Sequence, residues 1–177
     1  MKNYVLLVIS ILCIFMVSCK KNDSSIPVSG TVTLSSELVP DGSSYAIYGF
    51  SFTAGAVQKY PGQQVDILLE SLLSATDSFQ GAVFSSPDYL GTFNNTNYNQ
   101  DLTVAQNLFN SYSTVTDTAF KAISDTIKVG QIVTYKSPAN KFAKILVRGI
   151  NLVNQGSQKY AKVNISWQFQ PNGSAKF

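Results

Sequence analysis

The chain has no histidine, and its two cysteines (Cys13, Cys19) and two methionines (Met1, Met16) all fall within the first nineteen residues. From Lys20 onward it can form no disulfide and no metal site built on thiolate or imidazole. The commonest general base is missing as well, so a serine or threonine nucleophile has no imidazole to activate it. Glutamate is nearly absent: Glu37 and Glu70 are the only two, and the aspartates lie mainly in turns and at strand edges. That is poor material for the opposed carboxylates of a glycoside hydrolase. No glycine-rich phosphate loop and no calcium-loop pattern occurs. These absences point away from an enzyme.

Charge is also sparse. Lysine and arginine number 13 against 10 acids, a formal net of +3 spread along the chain. Nucleic-acid binding needs a clustered basic face, so it is not expected. Only Lys20-Lys21 sit together, and what precedes them explains why. Lys2 is followed by an apolar run from Val5 to Val17, broken only by Ser10, and then by Ser18-Cys19. This is a secretory signal peptide, too short and too poorly flanked for a membrane span.

The segment Met16-Val17-Ser18-Cys19 resembles the bacterial lipobox, in which cysteine is acylated and becomes the first residue of the mature chain. By that resemblance residues 1–18 are removed, Cys19 is the lipidation site, residues 19–27 are a lipidated tether and residues 28–177 form one domain. Several acyl chains on one residue, each buried methylene contributing ~0.8 kcal/mol, give stable anchoring. Lys20-Lys21 then face the headgroup layer. The tether Lys20 to Ser25 looks like those of Bacteroidetes lipoproteins, and Lys20 replaces the aspartate that marks inner-membrane retention in enterobacteria. The expected location is the outer membrane, at either the cell surface or the periplasmic face.

The rest of the chain alternates in the manner of strands. Val28 to Leu34 is a Val/Thr-rich strand, and Pro40-Asp41-Gly42-Ser43 is a turn. Ala46, Tyr48, Phe50 and Phe52 then fall on one face at a period of two. Over Val65 to Leu73, apolar Val65, Ile67 and Leu69 alternate with an outer face carrying Asp66 and Glu70. Phe79 to Phe84 and Tyr89 to Phe93 read as short strands, and Asn94-Asn95-Thr96-Asn97 as a loop. Helical spacing takes over in Asp101 to Tyr112, through Leu102, Ala105, Phe109 and Tyr112, with Asn99, Gln100 or Asp101 near the cap. Ala119, Phe120 and Ile123 predict a second short helix over 116–127. Beyond it come strands at 132–135, 142–150 and 160–169. In the last, Ala161, Val163, Ile165, Trp167 and Phe169 point inward against Lys162, Asn164, Ser166 and Gln168, as in an antiparallel sheet with one solvated face. In 142–150, Lys144 and Arg148 are placed on the solvated side. The expected fold class is mainly β: an antiparallel sheet or sandwich in a single domain with one or two short helices.

Three stretches carry a family resemblance. They are Val129 to Tyr135, Phe142 to Val147, and above all Trp167-Gln168-Phe169-Gln170-Pro171-Asn172-Gly173-Ser174, which resembles the C-terminal hairpin of HmuY-like lipoproteins of Bacteroidetes. Phe50 to Gly55 followed by Val65-Asp66-Ile67 is similar to a second pattern of that family. The resemblance implies a β-rich envelope lipoprotein, a possible haem cofactor and an outer-membrane receptor as partner. The family ligates haem iron through paired histidines, with methionines in some relatives, and no such residue exists after Met16 to receive that role. A tyrosinate, or a grip on the ring by aromatic side chains, is what would remain. Asp117-Thr118-Ala119 and Asp125-Thr126-Ile127 also resemble the Asp-Ser/Thr-apolar O-glycosylation site of exported Bacteroidetes proteins, which makes Thr118 and Thr126 candidate acceptors; helix capping by the aspartates is the competing explanation.

The functional expectation is a non-enzymatic, lipid-anchored binding or accessory protein. The alternatives are a haem or porphyrin carrier without histidine ligands, and a structural or adhesive surface protein. An apolar cleft rimmed by tyrosines would favour a carrier over an adhesive role. If Cys19 bears the lipid, Cys19→Ala should remove the acyl mass and shift the protein from the detergent phase to the aqueous phase. A Cys19→Ala chain that still partitions with detergent would refute the anchor.

Overall fold

The computed structural model describes residues 28–87 and 92–177. The leader, Cys19 and the tether lie outside these residues, as does the stretch 89–91 of the expected strand Tyr89 to Phe93. Ten strands and one helix follow in order: β1 Ser29–Ser35, β2 Val39–Asp41, β3 Ser44–Ser51, β4 Ala56–Tyr60, β5 Leu68–Leu73, β6 Phe79–Ser85, β7 Phe93–Tyr98, α1 Leu102–Ser111, β8 Gln131–Lys136, β9 Phe142–Gln155 and β10 Gln158–Gln170. All pairings are antiparallel. The mainly β, single-domain expectation holds.

The largest sheet has the order β1-β10-β9-β8-β7; β2-β3-β4 form a meander and β5-β6 a hairpin. The alternation in β10 decides which face is buried. Ala161, Val163, Ile165, Trp167 and Phe169 are all in the core, joined by Ala143, Ile145 and Val147 of β9 and by Val133 and Tyr135 of β8. Opposite them lie Phe50 and Phe52 of β3, Ile67 and Leu69, and Ala82 and Phe84 of β6. Phe52 is the hub. Its ring is 5.0 Å from Tyr135, 5.2 Å from Phe50, 5.6 Å from Phe169 and 5.9 Å from Trp167. Each such buried ring stabilises the fold by roughly 1.5–3 kcal/mol through area removed from water. Every residue of this core lies between Leu34 and Phe169, so residues 20–177 carry it complete.

The helix packs on the other side of the sheet, where Ala105 and Phe109 meet Ile132 and Leu146. Asp101 caps its N-terminus by accepting from Thr103 N (2.8 Å) and Val104 N (3.2 Å). No basic residue occupies its last turn. Lys144 of β9 supplies that charge from across the interface, donating to the carbonyls of Phe109 and Tyr112, each at 2.7 Å. The rings of Phe109 and Phe177 flank the ammonium at 4.8 and 5.0 Å. The placement of Lys144 on a solvated face is thus corrected: it is 2% exposed, because α1 and the C-terminal segment cover that part of the sheet. Burial pushes its pKa below the ordinary value of 10.5.

Two further expectations fail for one reason, the availability of strand edges. Residues 116–127 are extended rather than helical, bridging Phe93 through Lys121 and Ser85 through Ile123. Ser124 N donates to Phe84 O and Ile127 N to Ala82 O, both at 2.9 Å, so the segment satisfies its backbone on β6 and β7. Its Thr and Asp residues favour that outcome over a helix. Asn94 to Asn97 belongs to β7, not to a loop, with a bulge between Asn95 and Asn97. The strand expected to open at Val65 opens at Leu68.

The junction just before Leu68 orders the rest. Phe50 and Ile67 exchange backbone hydrogen bonds of 2.9 and 3.1 Å, joining β3 to the chain entering β5. The approach is so close that a Cβ at Gly49 would stand 2.5 Å from Ile67 O and 2.2 Å from Val65 Cγ1. Gly130, with φ +85° and Asn99 O 1.8 Å from any added Cβ, is likewise a position that only glycine fits. Gly149 in β9 has open space around it. Gly49→Ala should therefore cost about 2–3 kcal/mol by overpacking, and Gly149→Ala less than about 0.5 kcal/mol. Urea unfolding of both variants checks the contrast, and equal midpoints would show that the junction yields at no cost.

Candidate functional site

Beyond the Phe50–Ile67 junction β3 and β5 diverge. Among the described residues, β5 pairs along its length with β6 alone, so its opposite edge faces a gap. The gap is a cleft of about 450 Å³, within the size range of small-molecule sites. The β5 wall consists of Leu68, Leu69, Glu70, Ser71 and Leu73. Ile47 and Tyr48 of β3, Tyr60 of β4, and Ser35, Ser36 and Leu38 at the end of β1 face it. Leu38, Leu73 and Tyr48 are 47%, 42% and 37% exposed, so the rim is apolar and open to solvent.

The polar groups of the cleft differ in how they are committed. Ser36 and Ser71 share a hydroxyl hydrogen bond of 2.5 Å, and both accept from Ala161 N, at 2.9 and 3.0 Å. This node ties β1, β5 and β10 together at the cleft wall. Lys159 is drawn to Asp77, whose carboxylate lies 2.7 Å from its ammonium and whose carbonyl it also meets. Glu70 accepts from the hydroxyl of fully buried Ser85, which holds one carboxylate oxygen; no cation pairs with it among the described residues. Glu70 alternates with the core residue Leu69, on the outer face of its strand as expected, and there it lines the cleft.

Other titratable groups are explained where they stand. Asp66 accepts from Phe52 N at 2.7 Å and from Tyr135 Oη at 3.2 Å, and burial raises its pKa above 3.8 despite those bonds. Asp117 accepts from Thr134 Oγ1 at 2.6 Å and from Tyr112 Oη at 3.2 Å, pinning segment 113–128 to the sheet. Thr118 and Thr126 are both exposed on that segment. Asp117 is thus a structural anchor rather than a helix cap, Asp125 pairs with Lys121 at 2.6 Å, and the methyl of Thr126 covers Gly81. The structure brings neither threonine near the cleft, and Cys19 lies outside the described residues.

Among the described residues no group of His, Cys, Asp and Glu is arranged to hold a metal ion, and no helix is long and apolar enough to cross a membrane. Comparison of the chain with family models, curated proteins and solved structures finds no match. The cleft was missed in the sequence because its wall is a strand edge, which no side-chain alternation marks. The available signal was Glu70, the one charged residue between Ile67 and Leu73.

Tyr112, which caps the C-terminal end of α1 outside the cleft, carries a pH signature. Burial, then the Asp117 charge and its hydrogen bond, push the phenol up to about 12 from 10.0. The folded state holds that proton more tightly, so the contribution is complete below pH 10 and lost as pH rises towards 12. Because the phenol is only partly buried, solvent screening reduces the effect to about 1 kcal/mol. Urea midpoints at pH 9 and 11 should fall more for the wild type than for Tyr112→Phe; equal falls would show that the phenol is not coupled to folding.

Proposed function

We propose that the protein is a lipid-anchored envelope lipoprotein, HmuY-like in fold, that binds a small apolar ligand in the cleft between β1, β3–β4 and β5. Cys19 is its anchor, and the outer membrane, at the cell surface or periplasmic face, is its place; an outer-membrane receptor would accept the ligand. The role is binding rather than catalysis. The observation that carries this reading is the cleft itself, apolar, of ligand size and rimmed by Tyr48 and Tyr60. An adhesive protein needs no such opening.

Haem fits these residues poorly. The chain offers no histidine or methionine donor after Met16, leaving the phenols of Tyr48 and Tyr60 and the carboxylate of Glu70 as oxygen donors beside the cleft. The carboxylate of Glu70 would meet a porphyrin that carries two carboxylates of its own, a like-charge contact in a partly desolvated place. The favoured ligand is therefore apolar and not a porphyrin.

Residues 20–177 should bind the uncharged probe N-phenyl-1-naphthylamine with a saturable fluorescence rise at one probe per chain. Leu38→Trp, which fills the rim, should weaken it at least about tenfold. Haemin should give no saturable Soret shift. No fluorescence rise would sink the cleft reading, and a stoichiometric Soret shift lost in Tyr48→Phe or Tyr60→Phe would replace it with a haem carrier.

A further inference from the structure

We propose that the ligand of this cleft is an amphiphilic amine: a short apolar body with an ammonium head held by Glu70. The inference rests on the cleft being a ligand site and adds what that site selects. The argument is one of elimination among the polar groups that line it. The Ser36 and Ser71 hydroxyls are spent on each other and on Ala161 N. The Lys159 ammonium is neutralised by Asp77. Of the two charged residues lining the cleft, Glu70 is the one with no ion-pair partner among the described residues, and Ser85 fixes one of its oxygens so that the carboxylate does not swing freely.

A half-buried carboxylate set among leucines gives an apolar ligand a place for a cationic head. Tyr48 and Tyr60 line the same cleft, and aromatic rings attract cations. The leucines at 38, 68, 69 and 73 and Ile47 then take up the alkyl body. An anionic amphiphile of equal size would gain the same apolar contact but bring like charge against Glu70. A neutral alcohol would gain the contact and one hydrogen bond. The expected order of affinity is amine, alcohol, carboxylate.

The test displaces N-phenyl-1-naphthylamine from residues 20–177 with octylammonium, octanol or octanoate at pH 7, in the wild type and in Glu70→Gln. Glutamine keeps an oxygen to accept from Ser85, and thermal unfolding checks that the variant folds. Octylammonium should displace the probe at concentrations at least about tenfold below octanoate, and Glu70→Gln should reduce that ratio to about twofold or less without changing octanol. If octanoate competes as well as octylammonium in the wild type, the amine inference falls while the cleft remains a binding site. An amine preference that survives Glu70→Gln would equally overturn it. If the probe itself does not bind, or binds unchanged in Leu38→Trp, the cleft reading falls first and the inference with it.

Discussion

Two residues of backbone, Phe50 and Ile67, hold this architecture together. Their paired hydrogen bonds join the β2–β4 meander to the β5–β6 hairpin, and both then close over the inner face of the five-stranded sheet. A side chain at position 49 would wedge the two apart, so the closeness depends on an absent Cβ. The same contact explains the opening beside it. Strands fastened at one point and then led to different partners must separate, β3 towards β2 and β5 towards β6. Core closure and cleft formation are two results of one constraint.

What was legible in the sequence follows from which physical signals are local. The five inward residues of β10 declare themselves because a strand with one wet face must alternate. The helix at 102–111 declares itself through Ala105, Phe109 and the cap at Asp101. The misplaced parts were those settled by distant partners. Segment 116–127 has helical spacing, but the open edges of β6 and β7 satisfied its backbone first. Four polar residues at 94–97 look like a loop until β8 offers them a register. Lys144 falls at an outward position of its strand, and nothing near it in the sequence says that a helix end needs a cation there. Glu70 was visible as an oddity on an outer face, yet the cleft at that face depended on a gap made elsewhere.

The absences found at the outset acquire a structural meaning. With no cysteine after Cys19 to form a disulfide, the described residues are held by aromatic burial around Phe52 and by polar nodes such as Ser36–Ser71–Ala161 and Tyr112–Asp117–Thr134. Each node ties a strand to a segment far away in the chain. With the inner face sealed by rings and part of the outer face covered by α1, the edge of β5 is one place where an apolar surface still meets water.

The pairing of β1 with β10 has a consequence for biosynthesis. Ser29 lies against Gln168, so the first strand has no sheet to join until the last has been made. Such long-range closure is intrinsically late in folding. The order of the strands sets that delay: β7, β8 and β9 have one another to pair with, but β1 waits for β10, so the first strand made is the last to find its place.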